Sequence, residues 1–210
     1  MIRVLIADDH AILRRGLKEI LVRDLEGAIC GEAEDAEQVL SQVQSQVWDV
    51  VILDVTMPGR SGIDVLRDLK QLRPKLPVLV LSMHPEEQYG KRALKAGAAG
   101  YMNKESAPEE LIKAIEKVLA GGRYVSPLLA EKLAFDLDGN TGRPIHETLS
   151  DREFEVLRMI ASGRTVTQIA EELHLSVKTV STYRARILEK MNMATSAELM
   201  RYALHNHLLE

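Results

Sequence analysis

The sequence predicts an α/β domain with a doubly wound, five-stranded parallel sheet, followed by an all-α domain of four helices. Three observations carry this. Short unbroken apolar runs alternate with helical patterns as far as Gly121-Gly122. Turn-forming residues then cluster from Asp138 to Pro144, and from Leu149 onward every patterned segment is helical.

Val4–Ala7, Val50–Leu53 and Val78–Leu81 read as parallel strands covered on both faces, because each is apolar without alternation. Ala28–Glu32 and Ala98–Met102 are weaker strands of the same sheet. Helical patterns lie between and after them, near Ala11–Arg23, Ala36–Gln46, Ile63–Leu72, Pro85–Ala96 and Pro108–Ala120. The domains expected are 1–122 and 148–210, with a linker at 123–147 that holds a short helix near Ser126–Asp136. In the second domain, Ser150 with Glu153 three residues later is a capping box opening a helix through Ala161. Val166–Leu173 follows, then a turn at His174-Leu175-Ser176, a helix over Val177–Met191 capped by Ser176, and a last helix over Ser196–Leu209.

Composition narrows the class. No apolar run approaches the roughly 20 residues that span a bilayer, and Asp8 and Asp9 interrupt the N-terminal apolar run too early for a signal peptide. A lone cysteine, Cys30 in an apolar stretch, reads as a small core residue in a reducing compartment. These features predict a cytoplasmic protein. The net charge of −4 argues mildly against nonspecific polyanion binding. Residues 148–210, however, balance eight basic against eight acidic side chains, and Val177–Lys190 holds Lys178, Arg184, Arg186 and Lys190 against Glu189. A locally basic helix can grip phosphates inside a neutral domain.

Asp8 and Asp9 follow the first strand and Asp54 the third, so the topology carries three carboxylates to the ligand-binding end of the sheet. Oxygen donors of this kind suit Mg²⁺. Ser82 closes the fourth strand and Lys104 follows the fifth. A hydroxyl and an ammonium there would stabilise a phosphoryl group on Asp54 as nucleophile. Solvated loop residues would explain any one of these carboxylates. They do not readily explain five suitable groups at successive strand ends.

Asp8-Asp9, Asp54-Val55-Thr56-Met57-Pro58-Gly59, Leu81-Ser82 and Tyr101-Met102-Asn103-Lys104 resemble the signature of two-component receiver domains. The resemblance implies that Asp54 accepts phosphate from a sensor histidine kinase. It also implies that Asp8, Asp9, Asp54 and the main-chain carbonyl of Thr56 hold Mg²⁺. Ser82 and Tyr101 become the switch pair, Tyr101 turning inward behind the hydroxyl. Many receivers place proline after the lysine; here Glu105 stands there. A cis bond before a non-proline costs about 3–4 kcal/mol, so none is assumed.

In the helix after the turn, Val180, Ile187, Leu188 and Met191 form an apolar stripe. Lys178, Thr179, Ser181, Thr182, Arg184, Ala185, Arg186 and Lys190 occupy the remainder. Periodicity alone fits equally a major-groove helix and a solvated amphipathic one. Leu149–Leu157, Gly163, Ile169-Ala170 and Ser176–Val180 resemble the LuxR-type helix-turn-helix of NarL/FixJ-class regulators. That resemblance implies base contacts from Ser181, Thr182 and Ala185, with Tyr183 or Arg186 as additions. It implies phosphate contacts from Lys178, Thr179, Arg184 and Lys190. Leu199, Ala203 and Leu208 would pair two DNA-binding domains on inverted half-sites, a homodimer favoured by phosphorylation, with release of the recognition helix. His205 and His207, two apart on a helix, read as surface residues rather than metal ligands.

Two other classes make different demands on the sequence. An aspartyl-phosphate phosphatase would carry a second acid two residues after the nucleophile, where this chain has Thr56. A receiver acting only through protein contacts would bind no DNA.

Overall fold

The apolar runs form one parallel sheet: β1 (Ile2–Ala7), β2 (Ala28–Ala33), β3 (Val50–Asp54), β4 (Val78–Ser82) and β5 (Gly100–Asn103), in the order β2-β1-β3-β4-β5. The computed structural model describes residues 1–57, 60–83, 86–137 and 144–209; Pro58, Gly59 and Pro85 of the predicted segments, and the turn cluster at 138–143, lie outside them. The chain divides into two units, Met1–Asp138 and Gly139–Glu210.

Every residue of β3 and β4 is buried, the reason their sequences show no alternation. One face packs Val4, Ile6, Ile52, Leu79 and Leu81 with Leu17 and Leu21 of α1 (Ala11–Asp24) and Leu111 and Ile115 of α5 (Ala107–Leu119). The alternate residues Leu5, Val51, Leu53 and Val80 face the other side. There α2 (Ala36–Ser45), α3 (Gly62–Leu72) and α4 (Glu86–Lys95) complete the layer. Edge strand β2 is only partly covered, and Cys30 on it is half-buried rather than in the core. Burial pushes its thiol upward, away from reactivity.

The helix expected in the linker, α6 (Pro127–Leu137), belongs to the first unit. Ahead of it, Tyr124 runs alongside β5: its carbonyl accepts from Tyr101 N–H (3.0 Å) and its N–H donates to Ala99 O (3.0 Å). Ser126 N–H donates to Glu86 Oε1 at the start of α4 (3.1 Å). Leu129 is buried over Gly90, where a Cβ would stand 2.6 Å from the leucine methyl.

In the second unit, a short 3-10 turn (Ile145–Thr148) leads into α7 (Asp151–Ala161), α8 (Val166–Glu172), α9 (Val177–Lys190) and α10 (Ser196–His205). The Ser150 capping box is present, with Ser150 N–H donating to Glu153 Oε2 (2.7 Å) and Glu153 N–H to Ser150 Oγ (3.3 Å). The last helix stops at His205, not Leu209. His207 turns left-handed (φ 51°) and Leu208 N–H closes back on Ala203 O (2.9 Å).

Candidate phosphoacceptor pocket and nucleic-acid helix

Register brings the pocket together. Ala7 pairs with Leu53, Asp54 with Leu81, and Ser82 with Asn103, so Asp8, Asp54, Ser82 and Lys104 leave four adjacent strands at one level. The strand order reverses beside β1, where open α/β sheets bind ligands. Lys104 Nζ donates to Asp54 Oδ2 (2.8 Å) and lies 2.6 Å from Asp8 Oδ2. Thr56 N–H donates to Asp54 Oδ1 (3.0 Å). Asp8, Asp54, Ser82 and Lys104 are all buried, whereas Asp9 sits at the rim, its side chain 30% exposed. Tyr101 is buried as well, rather than outward-facing.

Burial raises the Asp54 carboxyl above its ordinary value, against the pull of Lys104. For Lys104, burial works downward, but Asp54 and Asp8 outweigh it and hold the ammonium above its usual range. Lys104 therefore stays charged at any working pH. No peptide bond among the described residues is cis, Lys104–Glu105 included.

Asp8, Asp9, His10 and Asp54 place one ligand atom each within 4.8 Å of one another. Three carboxylates against one ammonium leave two negative charges in a pocket of oxygen donors. Asp8 Oδ2 is buried and, beyond its ion pair with Lys104, accepts no aligned hydrogen bond. Both features fit a divalent cation with a preference for oxygen.

Three pocket residues escape a reading of strand ends. His10 Nδ1 lies 2.7 Å from Asp9 Oδ1 and 3.1 Å from Asp8 Oδ1; its place beside the acid pair was the available signal. Gly62 seats α3 against the acceptor peptide, since a Cβ there would come 2.2 Å from Asp54 O. Arg14 reaches the Asp8 carbonyl from α1, a contact no local pattern announces.

On α9, Lys178, Ser181, Thr182 and Ala185 are exposed at helical spacing, opposite buried Val180, Ile187 and Met191; Leu188 of the predicted stripe is only half-buried. Arg186 is exposed too, and Thr179 and Tyr183 are half-buried. Thr179 Oγ1 is 2.8 Å from the capping Ser176 hydroxyl, and Thr182 Oγ1 donates to Lys178 O (2.9 Å). Two assigned phosphate contacts are otherwise engaged. Lys190 Nζ donates to buried Glu153 Oε2 (2.6 Å), bracing α9 on α7, and Arg184 Nε donates to Ser196 Oγ on α10 (2.9 Å). The assigned dimer residues need correction as well. Leu199, Ala203 and Leu208 are 0%, 0% and 4% exposed, filling the unit's own core, because α10 turns its apolar stripe onto α7. The outward side of α10 carries Ala197, Arg201 and Leu204, the last 63% exposed. His205 and His207 are exposed.

The family model for the response regulator receiver domain matches residues 4–116, and that for bacterial regulatory proteins of the luxR family matches residues 147–203. The chain belongs to the NarL/FixJ class of response regulators. Response regulator GacA of Pseudomonas aeruginosa is 38% identical over 212 residues, covering 100% of this chain and 99% of its own. Response regulator UvrY of Escherichia coli K12 is 34% identical over 210 residues, covering 99% and 96%. The structure of RcsB from Salmonella enterica serovar Typhimurium, bound to promoter rprA in the presence of phosphomimetic BeF3−, is similar at a TM-score of 0.64. Its identity is 31%, covering 96% of this chain and 98% of that one. This regulator is thus a two-component transcriptional regulator with a LuxR-type DNA-binding domain. Among the described residues, no helix is long and apolar enough to cross a membrane.

Proposed function

We propose that Asp54 of this regulator accepts a phosphoryl group from a sensor histidine kinase in the cytoplasm. The phosphorylated chain then binds inverted-repeat DNA as a dimer. The observation that carries the reading is the convergence of Asp8, Asp54 and Lys104 at the switch point of the sheet, on a chain that also carries a helix-turn-helix. An Asp54 oxygen attacks phosphorus. The O–P bond forms as the N–P bond of the phosphohistidine breaks, and the electron pair stays on the imidazole nitrogen, which takes up a proton.

Asp8, Asp9, Asp54 and the Thr56 carbonyl would hold Mg²⁺, which supplies positive charge against the carboxylates and the phosphoryl oxygens. Lys104, fixed between Asp8 and Asp54, meets a phosphoryl oxygen with a point charge, and Ser82 offers its hydroxyl from β4. The same residues let the chain assist its own phosphorylation and dephosphorylation.

The route outward is supported by Tyr124 and Leu129. β5, which carries Tyr101, is hydrogen-bonded to Tyr124, and α4 is covered by Leu129, so a shift of either strand or helix pulls on the segment leading to the DNA-binding domain. Domains at 1–122 and 148–210 with the segment 123–147 between them agree with this use. On α9, Lys178, Ser181, Thr182, Ala185 and Arg186 form the DNA face, and Ala197, Arg201 and Leu204 on α10 form the pairing face.

The test is selection from random duplex DNA with Mg²⁺, with and without beryllofluoride, on wild type and Asp54→Ala. The reading expects an inverted repeat enriched far more strongly with the mimic, and no such gain for Asp54→Ala. Equal enrichment in both conditions discards the phospho-switch. No enrichment in either moves the function to protein contacts alone.

A further inference from the structure

Arg14 is a buried guanidinium in the first turn of α1, outside the motif residues. One of its nitrogens donates to the main-chain carbonyl of Asp8 (2.7 Å). Another donates to Glu34 Oε1 (2.8 Å), and its Nε lies 3.5 Å from Glu32 Oε2. β1 ends at Ala7, so the sheet ladder stops one residue short of the Asp8 carbonyl, and a buried carbonyl needs a donor. The residue before α1, His10, makes no side-chain cap, and although Asp8 Oδ1 accepts His10 N–H across the turn (2.8 Å), that bond fixes the Asp8 side chain and leaves its carbonyl to a donor from elsewhere. The guanidinium holds it from inside the helix. Glu32 and Glu34, at the end of β2, in turn fix the plane of the fork.

We infer that Arg14 is a positioning residue for the cation end of the phosphoacceptor pocket: it locks the peptide that aims Asp8 and Asp9 at Asp54. The inference rests on the phosphoacceptor reading above. Its work is geometric, because two glutamates offset its charge. A lysine keeps the charge but not the rigid planar fork that serves the Asp8 carbonyl and Glu34 in fixed directions. Geometry and charge also differ in sign. Removing a cation makes the pocket more negative and by itself tightens Mg²⁺ binding, whereas a loosened Asp8-Asp9 turn weakens it. Groups that orient metal ligands from behind typically set affinity by about 10–100-fold.

The experiment is Mg²⁺ titration by calorimetry on the full chain for wild type, Arg14→Ala, Arg14→Lys and Glu34→Gln, with a thermal melt of each. Both Arg14 variants are expected to bind Mg²⁺ about tenfold more weakly. Arg14→Lys should recover melting temperature without recovering affinity, and Glu34→Gln, which keeps an acceptor on an exposed side chain, should stay near wild type. Phosphorylation of Arg14→Lys by acetyl phosphate should return to the wild-type rate at saturating Mg²⁺, a raised requirement with an unchanged maximum. Unchanged or tighter Mg²⁺ binding in a folded Arg14 variant overturns the inference. If Arg14→Ala does not fold, Arg14→Lys decides. A wild type that binds no Mg²⁺ takes down the phosphoacceptor reading itself, and so is told apart from failure of Arg14 alone.

Discussion

In the second unit α7, α8, α9 and α10 each begin on a serine or threonine whose side chain accepts the N–H three residues on: Ser150, Thr165, Ser176 and Thr195. Each ends two residues before a left-handed one: Gly163, His174, Asn192 and His207. In the first unit α1, α3 and α5 start with no side-chain cap, and α1 and α2 run straight into extended backbone, although α4 and α5 stop two residues before left-handed Gly97 and Gly121. There local end signals are only part of the pattern, and strand register and two-sided burial decide which residues are covered. The small helical unit has no sheet to align it and carries its boundaries in its own termini. Function follows the same division. The pocket is assembled from four strand ends far apart in sequence, whereas the proposed DNA face lies along one helix.

Core truncations test the division most strongly. Ile52→Ala in β3 and Leu199→Ala in α10 should each cost about 3 kcal/mol, by lost burial and a residual cavity. The sole tryptophan, Trp48, lies just ahead of β3, so its fluorescence during urea unfolding should move for Ile52→Ala and stay put for Leu199→Ala. Far-UV circular dichroism should show the helical loss from Leu199→Ala at any protein concentration. A loss that vanished at high concentration would return Leu199 to a dimer surface.

Opposite pH responses sharpen the comparison. The Glu153 carboxyl is buried, which acts to raise it, but Lys190 and Ser150 hold it below its ordinary value. Its stabilisation is present above the ordinary carboxylate range and is lost as pH falls through the lowered folded value. Asp54 is raised, so its ionised form opposes folding above that raised value, and the penalty disappears as pH falls below the ordinary range. Glu153→Gln should therefore lower the melting temperature, and Asp54→Asn raise it, most at neutral pH. Melts between neutral and strongly acidic pH should show both differences shrinking on acidification. A difference independent of pH would remove the ionised carboxylate as its cause.

The smallest effect lies in a helix terminus. His174 is left-handed (φ 52°) between α8 and α9, where Leu175 N–H closes on Ala170 O (2.8 Å). His174→Gly relieves that conformation and should stabilise the unit by a few tenths to about 1 kcal/mol in urea unfolding. A loss instead would show that the imidazole makes contacts worth more than the backbone strain.

Much of this was legible in advance. Apolar runs at β1, β3 and β4 named the buried strands, and the carboxylates, Ser82 and Lys104 named the pocket, because parallel strands deliver their ends to one edge. Ser150-x-x-Glu153 marked the start of α7 for a purely local reason. Two features were shifted in detail. β5 begins at Gly100 rather than Ala98, and α6 is part of the first unit because Tyr124 extends β5 and Leu129 finds the space over Gly90. A segment's own composition cannot show such docking.

What the sequence by itself determined was the type and order of the elements, the helix termini of the second unit and the acid, hydroxyl and ammonium groups of the pocket, all set by neighbours a few residues apart or by strand polarity. Only the tertiary structure decided the partners. An amphipathic helix announces that one face will be covered but not by what, so Leu199, Ala203 and Leu208 turned into their own core. A long charged side chain likewise reaches whichever buried acceptor the packing leaves nearest. Lys190 therefore went to Glu153, and Arg14 to the carbonyl of Asp8.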